Sequence, residues 1–460
     1  MNESKGEALH KPHFRADGVR HVTIRGHRFH LRLADKGHNH LWIDGRQPPL
    51  ILDRTAADFV AYLIDALWLY QDGDGVKSDQ VVEHVVDAMV RKYWRRNRKL
   101  TRERVREDLD RIYGTLMAIA QGQCPAELGI EAKAIDYDKW TAPARMDLAV
   151  TYRCNLHCGK CYLPGPTEVA ELSLDQWLKV YETIWKLGVS QVVFTGGEPT
   201  VREDIVELVS HADEFVTGLV TNGTRLVELA EPLKDASLDY AQITVESGDP
   251  SVHDAMTEVA GSHGRTVAGL KKALEVGLEV VTNTTLTKAN AKDFVATLTW
   301  LHEEIGIDHC ACNTLICSGK GVEYRREHGL SDEELRPILE AACEYASANG
   351  LDLQWYSPTC YNVGINPLEL GFGVKSCSAA AHNMTVQPDG TVLPCQSWPD
   401  SVGNILTDRW TKIWRNPTCV KLRRRALAPA ECGKCGLIGA CGGGCPLDPT
   451  PRKCSEEVGR

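Results

Sequence analysis

Between residues 146 and about 350, short apolar runs alternate with longer stretches in which apolar side chains recur every three or four positions. That alternation of periods predicts strands connected by helices, and hence a parallel α/β arrangement. Met146 to Thr151 reads as the first strand, with further strands predicted at 190–195, 216–221, 240–246, 278–286 and 308–316. The helix predicted from Leu174 to Leu187 places Trp177, Leu178, Tyr181, Ile184 and Trp185 on one face. Ser173 and Gln176 form an S-x-x-Q capping box at its start, and Gly188 stands at its end.

The pattern changes on either side of this region. Before residue 140, β-like pieces at 21–33, 40–44 and 49–53 precede helical stretches at 55–71, 78–93 and 101–121. The helices are opened by Thr55-Ala-Ala-Asp58, Ser78-Asp-Gln-Val81 and Thr101-Arg-Glu-Arg104. After residue 350 cysteines and glycines take over. A chain of 460 residues is long for one domain, and three are expected: 1–140, 141–350 and 351–460. With 43% hydrophobic and 25% charged residues the chain is ordinary for a globular protein. A formal charge of −10 argues against a general nucleic-acid binder. No apolar run reaches about 18 residues and the first residues lack the hydrophobic segment of a signal peptide, so no membrane span and a cytoplasmic location are expected.

Seventeen cysteines in such a chain read as metal ligands, because a reducing compartment would keep disulfides open. Three of them, Cys154, Cys158 and Cys161, form a C-x3-C-x2-C loop directly after the first predicted strand. Such a loop offers three thiolates where a cubane 4Fe–4S cluster needs four ligands, so one iron is left open. A zinc loop with His157 as the fourth ligand is the competing reading. Thr195-Gly196-Gly197-Glu198-Pro199 follows the apolar run Gln191 to Phe194, and Val220-Thr-Asn222-Gly-Thr224 ends another. Two glycines permit close backbone approach, and the Glu198 carboxylate suits a cationic amino group.

These three segments, in this order, resemble the radical S-adenosylmethionine (SAM) enzymes. The resemblance implies a partial (β/α)6 TIM-like barrel whose cofactor loops follow strand ends. It implies SAM bound to the open iron through its amino and carboxylate groups and cleaved by one electron to a 5'-deoxyadenosyl radical. It makes Gly196, Gly197, Glu198, Pro199 and Asn222 cofactor-binding residues. Thr244, Glu246 and Ser247 lie where family members contact the SAM ribose or methionine, although alternation on a half-buried strand explains them equally well. Asn283 and Asn313 are weaker candidates of the same kind. One position departs from the pattern: the residue before the third cysteine is usually aromatic and near the adenine, and here it is Lys160.

The C-terminal string Cys377-x12-Gly390-x4-Cys395, Cys432-x2-Cys435-x5-Cys441-x3-Cys445 and Cys454 resembles the SPASM extension of radical SAM maturases. By that resemblance Cys377, Cys395 and Cys445 hold a first auxiliary cluster, and Cys432, Cys435, Cys441 and Cys454 a second. Three 4Fe–4S clusters are thus implied. The first auxiliary set is one ligand short, and either Cys360 closes it or one iron stays free. Spacing alone also fits a zinc ribbon at 432–445. Cys124, Cys310, Cys312, Cys317, Cys343 and Cys419 read as free thiols.

Strands followed by three helices, with the phrase Leu50-Ile-Leu-Asp-Arg-Thr-Ala-Ala57, make the first 140 residues resemble a winged-helix peptide recognition element. In that family a leader peptide adds a strand to a sheet edge. The basic string Arg91 to Lys99 reads as solvated surface, with an acidic leader as its other use. Together the resemblances imply a maturase that modifies a peptide or protein, with a flavodoxin or ferredoxin as electron donor. The alternatives are a maturase for a small cofactor or metalloenzyme, such as a haem-type or tungsten-enzyme system, and an iron–sulfur electron carrier or redox regulator.

Overall fold

The computed structural model describes residues 19–33, 39–44, 49–72, 75–131, 137, 140–163, 169–362 and 365–448. They form two units, one of Met1–Trp140 with Glu182–Ser190, the other of Thr141–Tyr181 with Gln191–Arg460.

In the first unit β1 (Val19–Ile24), β2 (His27–Arg32), β3 (Asn39–Ile43) and β4 (Leu50–Leu52) form an antiparallel meander in chain order. Period-2 alternation sends Val22, Phe29, Leu31, Leu41 and Ile43 to one face, where they pack on Val60 and Ile64 of α1 (Arg54–Leu69). The short strands β5 (Gln71–Asp72) and β6 (Gly75–Val76) pair before α2 (Ser78–Tyr93) and α3 (Arg102–Ala120). A second core joins Phe59 and Leu63 of α1 to Val85 and Met89 of α2 and Leu109 of α3. The cap of α1 is Asp53, which accepts from the Ala56 N–H at 2.8 Å, so the helix starts before the expected Thr55. Thr101 caps α3 as expected.

Asp58 explains part of the basic string. It is 4% exposed and accepts from the Tyr93 hydroxyl at 2.6 Å, with the Lys92 ammonium 2.7 Å away. Arg98 lies over the Trp94 ring, and Arg95, Arg96 and Lys99 are exposed. Asp58→Ala removes a partner of the half-buried Tyr93 hydroxyl and of the largely exposed Lys92 ammonium, and is expected to cost about 1 kcal/mol. Thermal unfolding followed by circular dichroism reads this as a lowered midpoint; an unchanged midpoint would show that the network contributes nothing.

The second unit is built on one sheet. Its parallel strands are β7 (Arg145–Thr151), β8 (Gln191–Gly196), β9 (Val216–Thr221), β10 (Tyr240–Thr244), β11 (Glu279–Leu286), β12 (His309–Thr314) and β13 (Asp352–Trp355), each paired with the next. β14 (Asn383–Val386) pairs parallel on the other side of β7, followed antiparallel by β15 (Thr391–Leu393) and β16 (Gly403–Asn404). The edge strands β13 and β16 do not meet in the strand order, so the barrel is open. All six strands expected from the pattern are present. β10 and β12 stop short of their expected ends, at Thr244 and Thr314, and the seventh parallel strand β13 lies beyond residue 350.

The connections are α4 (Leu174–Lys186), α5 (Ile205–Ser210), α6 (Leu226–Asp235), α7 (Pro250–Thr257), α8 (Ser262–Glu275), α9 (Phe294–Thr299), α10 (Gly321–His328) and α11 (Asp332–Asn349). Ser173 and Gln176 exchange the reciprocal bonds of the predicted capping box. Trp177 and Tyr181 of α4 are fully buried, and Tyr181 meets the rings of Phe194 and Phe215 edge-on. Among the described residues no helix is long and apolar enough to cross a membrane.

Candidate functional site

Every segment singled out for chemistry in the barrel follows a strand's C-terminal end. The loop 154–161 leaves β7 and is pinned by backbone bonds from His157 N–H to Thr257 O (3.1 Å) and from Gly321 N–H to Cys161 O (3.2 Å). Cys154 is exposed, Cys158 and Cys161 are half-buried, and His157 points to solvent. Each of the three thiols lies in the electrostatic field of the others. Burial pushes the Cys158 thiol up to about 12, against the pull of the Lys160 ammonium. Among the described residues no three Cys, His, Asp or Glu side chains already stand in a closed metal-holding arrangement.

Gly196 ends β8 with φ +141°, and a Cβ there would lie 2.0 Å from the Thr151 carbonyl oxygen. A Cβ on Gly197 would lie 2.5 Å from Arg153 O. The backbone itself uses this closeness: Gly197 N–H donates to Thr151 O and Glu198 N–H to Arg153 O, both at 2.9 Å. The two glycines therefore clamp the Gly-Gly-Glu-Pro turn onto the arm that carries Cys154.

Glu198, expected to receive a methionyl amino group, is bonded to the strand ends around it. It is 1% exposed. Its Oε1 accepts from Thr200 N–H (3.0 Å), Thr200 Oγ1 (2.5 Å) and Thr221 Oγ1 (2.7 Å), and its Oε2 from Asn222 N–H at 2.7 Å. Burial raises its pKa and these four bonds lower it. The carboxylate thus ties the ends of β8 and β9 together, and Pro199 starts a buried 3-10 turn. Asn222 continues the tie: its amide donates to Asn155 Oδ1 at 2.7 Å, and Asn155 donates to Thr224 Oγ1 at 2.9 Å, next to Cys154.

At the end of β10 Thr244 is half-buried, and beyond it Ser247 Oγ accepts from Asp249 N–H at 3.0 Å in the turn before α7. Glu246 is engaged by Lys160 at 2.6 Å, a pairing that single-residue candidates could not show. The signal was present as a lone cation between two cysteines and an acid at a strand end. Asn283 Oδ1 is buried and meets no hydrogen-bond partner among the described residues, whereas Asn313 turns onto the Thr314 carbonyl at 2.8 Å. Cys317, expected as a free thiol, accepts from Arg325 Nη1 at 2.8 Å, and Arg325 reaches Asp448 at 3.3 Å. These residues line an open cleft of about 660 Å³ beyond β11 and β12, which Asp332 and Cys445 also border.

Of the C-terminal cysteines, Cys377, Cys395 and Cys445 share one electrostatic neighbourhood, and burial pushes Cys395 up to about 12. Cys432 and Cys441 are buried on either side of Gly443, whose N–H donates to Cys441 Sγ at 3.3 Å. Cys360 hydrogen-bonds to Cys441, which this bond holds down near about 5. Cys445 N–H bonds to Pro358 O at 3.2 Å and draws 358–360 alongside 441–445, so Cys360 lies next to members of both sets. Cys435 is half-buried, and Cys454 lies outside the described residues.

A family model of the radical SAM superfamily matches residues 148–301, and one of an iron–sulfur cluster-binding domain, SPASM, matches 377–436. A PqqA peptide cyclase of Streptomyces rochei is 30% identical over 265 residues, covering 55% of this chain and 69% of that protein. The chain belongs to the radical SAM superfamily. An AdoMet-dependent heme synthase of Nitratidesulfovibrio vulgaris is 26% identical, covering 64% of this radical SAM chain and 85% of the relative. SuiB of Streptococcus suis, solved with S-adenosylmethionine and with its precursor peptide SuiA, superposes at TM-score 0.63 and 18% identity. That likeness covers 94% of this chain and concerns the fold. SAM and iron–sulfur clusters come with the two matched families, and the donor set fits them: three thiols on one loop beside a glycine passage, and separate groups of thiols toward the C-terminus.

Proposed function

We propose that this radical SAM protein is a maturase that modifies a peptide or protein substrate. The observation that carries the reading is the peptide-cyclase relative, 30% identical across most of its own length, joined in this chain to a head built on a four-stranded sheet and three helices. An iron–sulfur cluster with SAM bound would supply a 5'-deoxyadenosyl radical by one-electron cleavage of the sulfonium. Cys154, Cys158 and Cys161 would hold that cluster. Gly196, Gly197, Glu198 and Pro199 would shape the wall against the methionyl group. Glu198 and Asn222 would keep the ends of β8 and β9 and the cysteine arm in register, and Thr244 and Ser247 border the same loops. Cys377, Cys395 and Cys445 would hold one auxiliary cluster and Cys432, Cys435, Cys441 and Cys454 another, three clusters in all. The head would receive a leader segment along a sheet edge, and a flavodoxin or ferredoxin would deliver electrons.

The test is anaerobic reconstitution of the full chain with SAM, a reductant and a short precursor peptide encoded beside its gene. Expected are 5'-deoxyadenosine and a mass change in the peptide. A chain that cleaves SAM and leaves every such peptide unchanged, while altering a porphyrin substrate, would move the assignment to the heme synthase relatives.

A further inference from the structure

Lys160 stands between Cys158 and Cys161 at a place where the family resemblance sets an aromatic ring near the adenine. Its side chain is 11% exposed, with the ammonium 2.6 Å from Glu246 Oε1 and 2.9 Å from Thr285 Oγ1. Glu246 is 1% exposed, and its other oxygen accepts from Thr285 N–H at 3.3 Å. The three residues join the cysteine loop to the ends of β10 and β11.

An ammonium has three N–H donors: one goes to Thr285 Oγ1, and a second side of the ammonium is taken up by the Glu246 Oε1 ion pair. The third has no acceptor among the described residues. A donor withdrawn from water and left unmet is costly, so the site favours a ligand that brings an acceptor. The ion pair is already neutral, which disfavours a second anion such as the methionyl carboxylate and favours an uncharged acceptor. The nucleoside end of SAM offers such atoms in its ring nitrogens and ribose oxygens. An aromatic surface is also at hand: a Cβ on Gly159 would meet the Tyr324 ring at 3.0 Å, so that ring packs on the loop beside Lys160.

We propose that Lys160 positions the adenosyl group, donating its third hydrogen bond to an uncharged acceptor on the adenosine moiety while Glu246 and Thr285 hold the ammonium in place. The proposal rests on the radical SAM assignment and is independent of what the enzyme modifies. Lys160 is thus a positioning and specificity residue that achieves by hydrogen bonding what a neighbouring ring achieves by contact.

The probe is S-adenosylhomocysteine, which carries the same nucleoside and is not reductively cleaved. Its binding to the reconstituted full chain is measured by equilibrium dialysis, with iron counted in parallel, for wild type, Lys160→Met and Lys160→Arg. Lys160→Met is expected to weaken binding about 10- to 100-fold, the range of one hydrogen bond to a charged group, with iron content unchanged. Lys160→Arg, which keeps a donor, is expected to recover part of that loss. In the wild type, SAM should shift the electron paramagnetic resonance of the reduced cluster, and in Lys160→Met that shift should need correspondingly more SAM. Binding within twofold of wild type in Lys160→Met overturns the proposal. So does a loss of about four irons in that variant, which would make Lys160 a brace for the loop, or an arginine variant no better than methionine.

Discussion

Replacing Cys154, Cys158 and Cys161 together by alanine removes about four irons per chain and abolishes reductive cleavage of SAM. The number follows from one cubane per thiolate set. With both auxiliary sets filled, reconstituted protein should fall from about twelve irons to about eight. The variant stays folded because the loop is fixed by its backbone. The bonds from His157 N–H to Thr257 O and from Gly321 N–H to Cys161 O use no sulfur, and Asn155 still meets Asn222 and Thr224. The C-terminal thiols lie in their own neighbourhoods, so their clusters remain as an internal control. Iron and acid-labile sulfide are assayed on both proteins, and 5'-deoxyadenosine is quantified under dithionite. Undiminished 5'-deoxyadenosine from the triple variant would remove the central assignment of this loop. Loss of all twelve irons would show that the three sites form interdependently.

The barrel was legible because parallel strands covered on both faces read as continuous apolar runs. β8 is buried at all six positions, Gln191 to Gly196, and shows the run in Val192, Val193 and Phe194. β13 was not legible. It has four residues, runs from exposed Asp352 to fully buried Trp355, and follows α11 where the chain had been expected to leave the core. β14, β15 and β16 are two to four residues long, too short for any periodicity to emerge. Their pairing beside β7 is a non-local contact that no local pattern encodes.

The candidate site divides in the same way. Which residue types gather at strand ends could be read from spacing, because Cys154, Gly196 and Asn222 each follow an apolar run. Which partner each side chain takes could not. Spacing marked Glu198 as a receiver for an external cation but could not show that Thr200, Thr221 and Asn222 also donate to its carboxylate. Glu246, weighed as a cofactor contact or a strand residue, also meets Lys160 from 86 positions away in the sequence. Cys360 was weighed by its distance along the chain from Cys377, whereas in space it lies against Cys441. A carboxylate or thiol takes the nearest donor the fold brings, and sequence distance is blind to that.

Gly196→Ala should abolish SAM binding while Gly264→Ala leaves it intact. At Gly196 the φ of +141° is one that a side chain seldom adopts, which costs about 1–3 kcal/mol. The added Cβ would also stand 2.0 Å from Thr151 O, and no flexible side chain is available to yield. The backbone of β7 and β8 must part at their shared end, breaking the 2.9 Å bond from Gly197 N–H to that same oxygen. The arm that moves carries Cys154, and the turn that moves carries Glu198 with its bonds to β9. A local clash is thus transmitted to both halves of the cofactor site. Gly264, in α8, has open space where its Cβ would go, and alanine there should be neutral or stabilise the helix by up to about 1 kcal/mol. Dialysis with S-adenosylhomocysteine and thermal unfolding should separate the two: Gly196→Ala loses affinity by at least tenfold and unfolds earlier, and Gly264→Ala matches wild type. If Gly196→Ala bound the probe as wild type does, the clamp between β7 and β8 could not be what shapes the site.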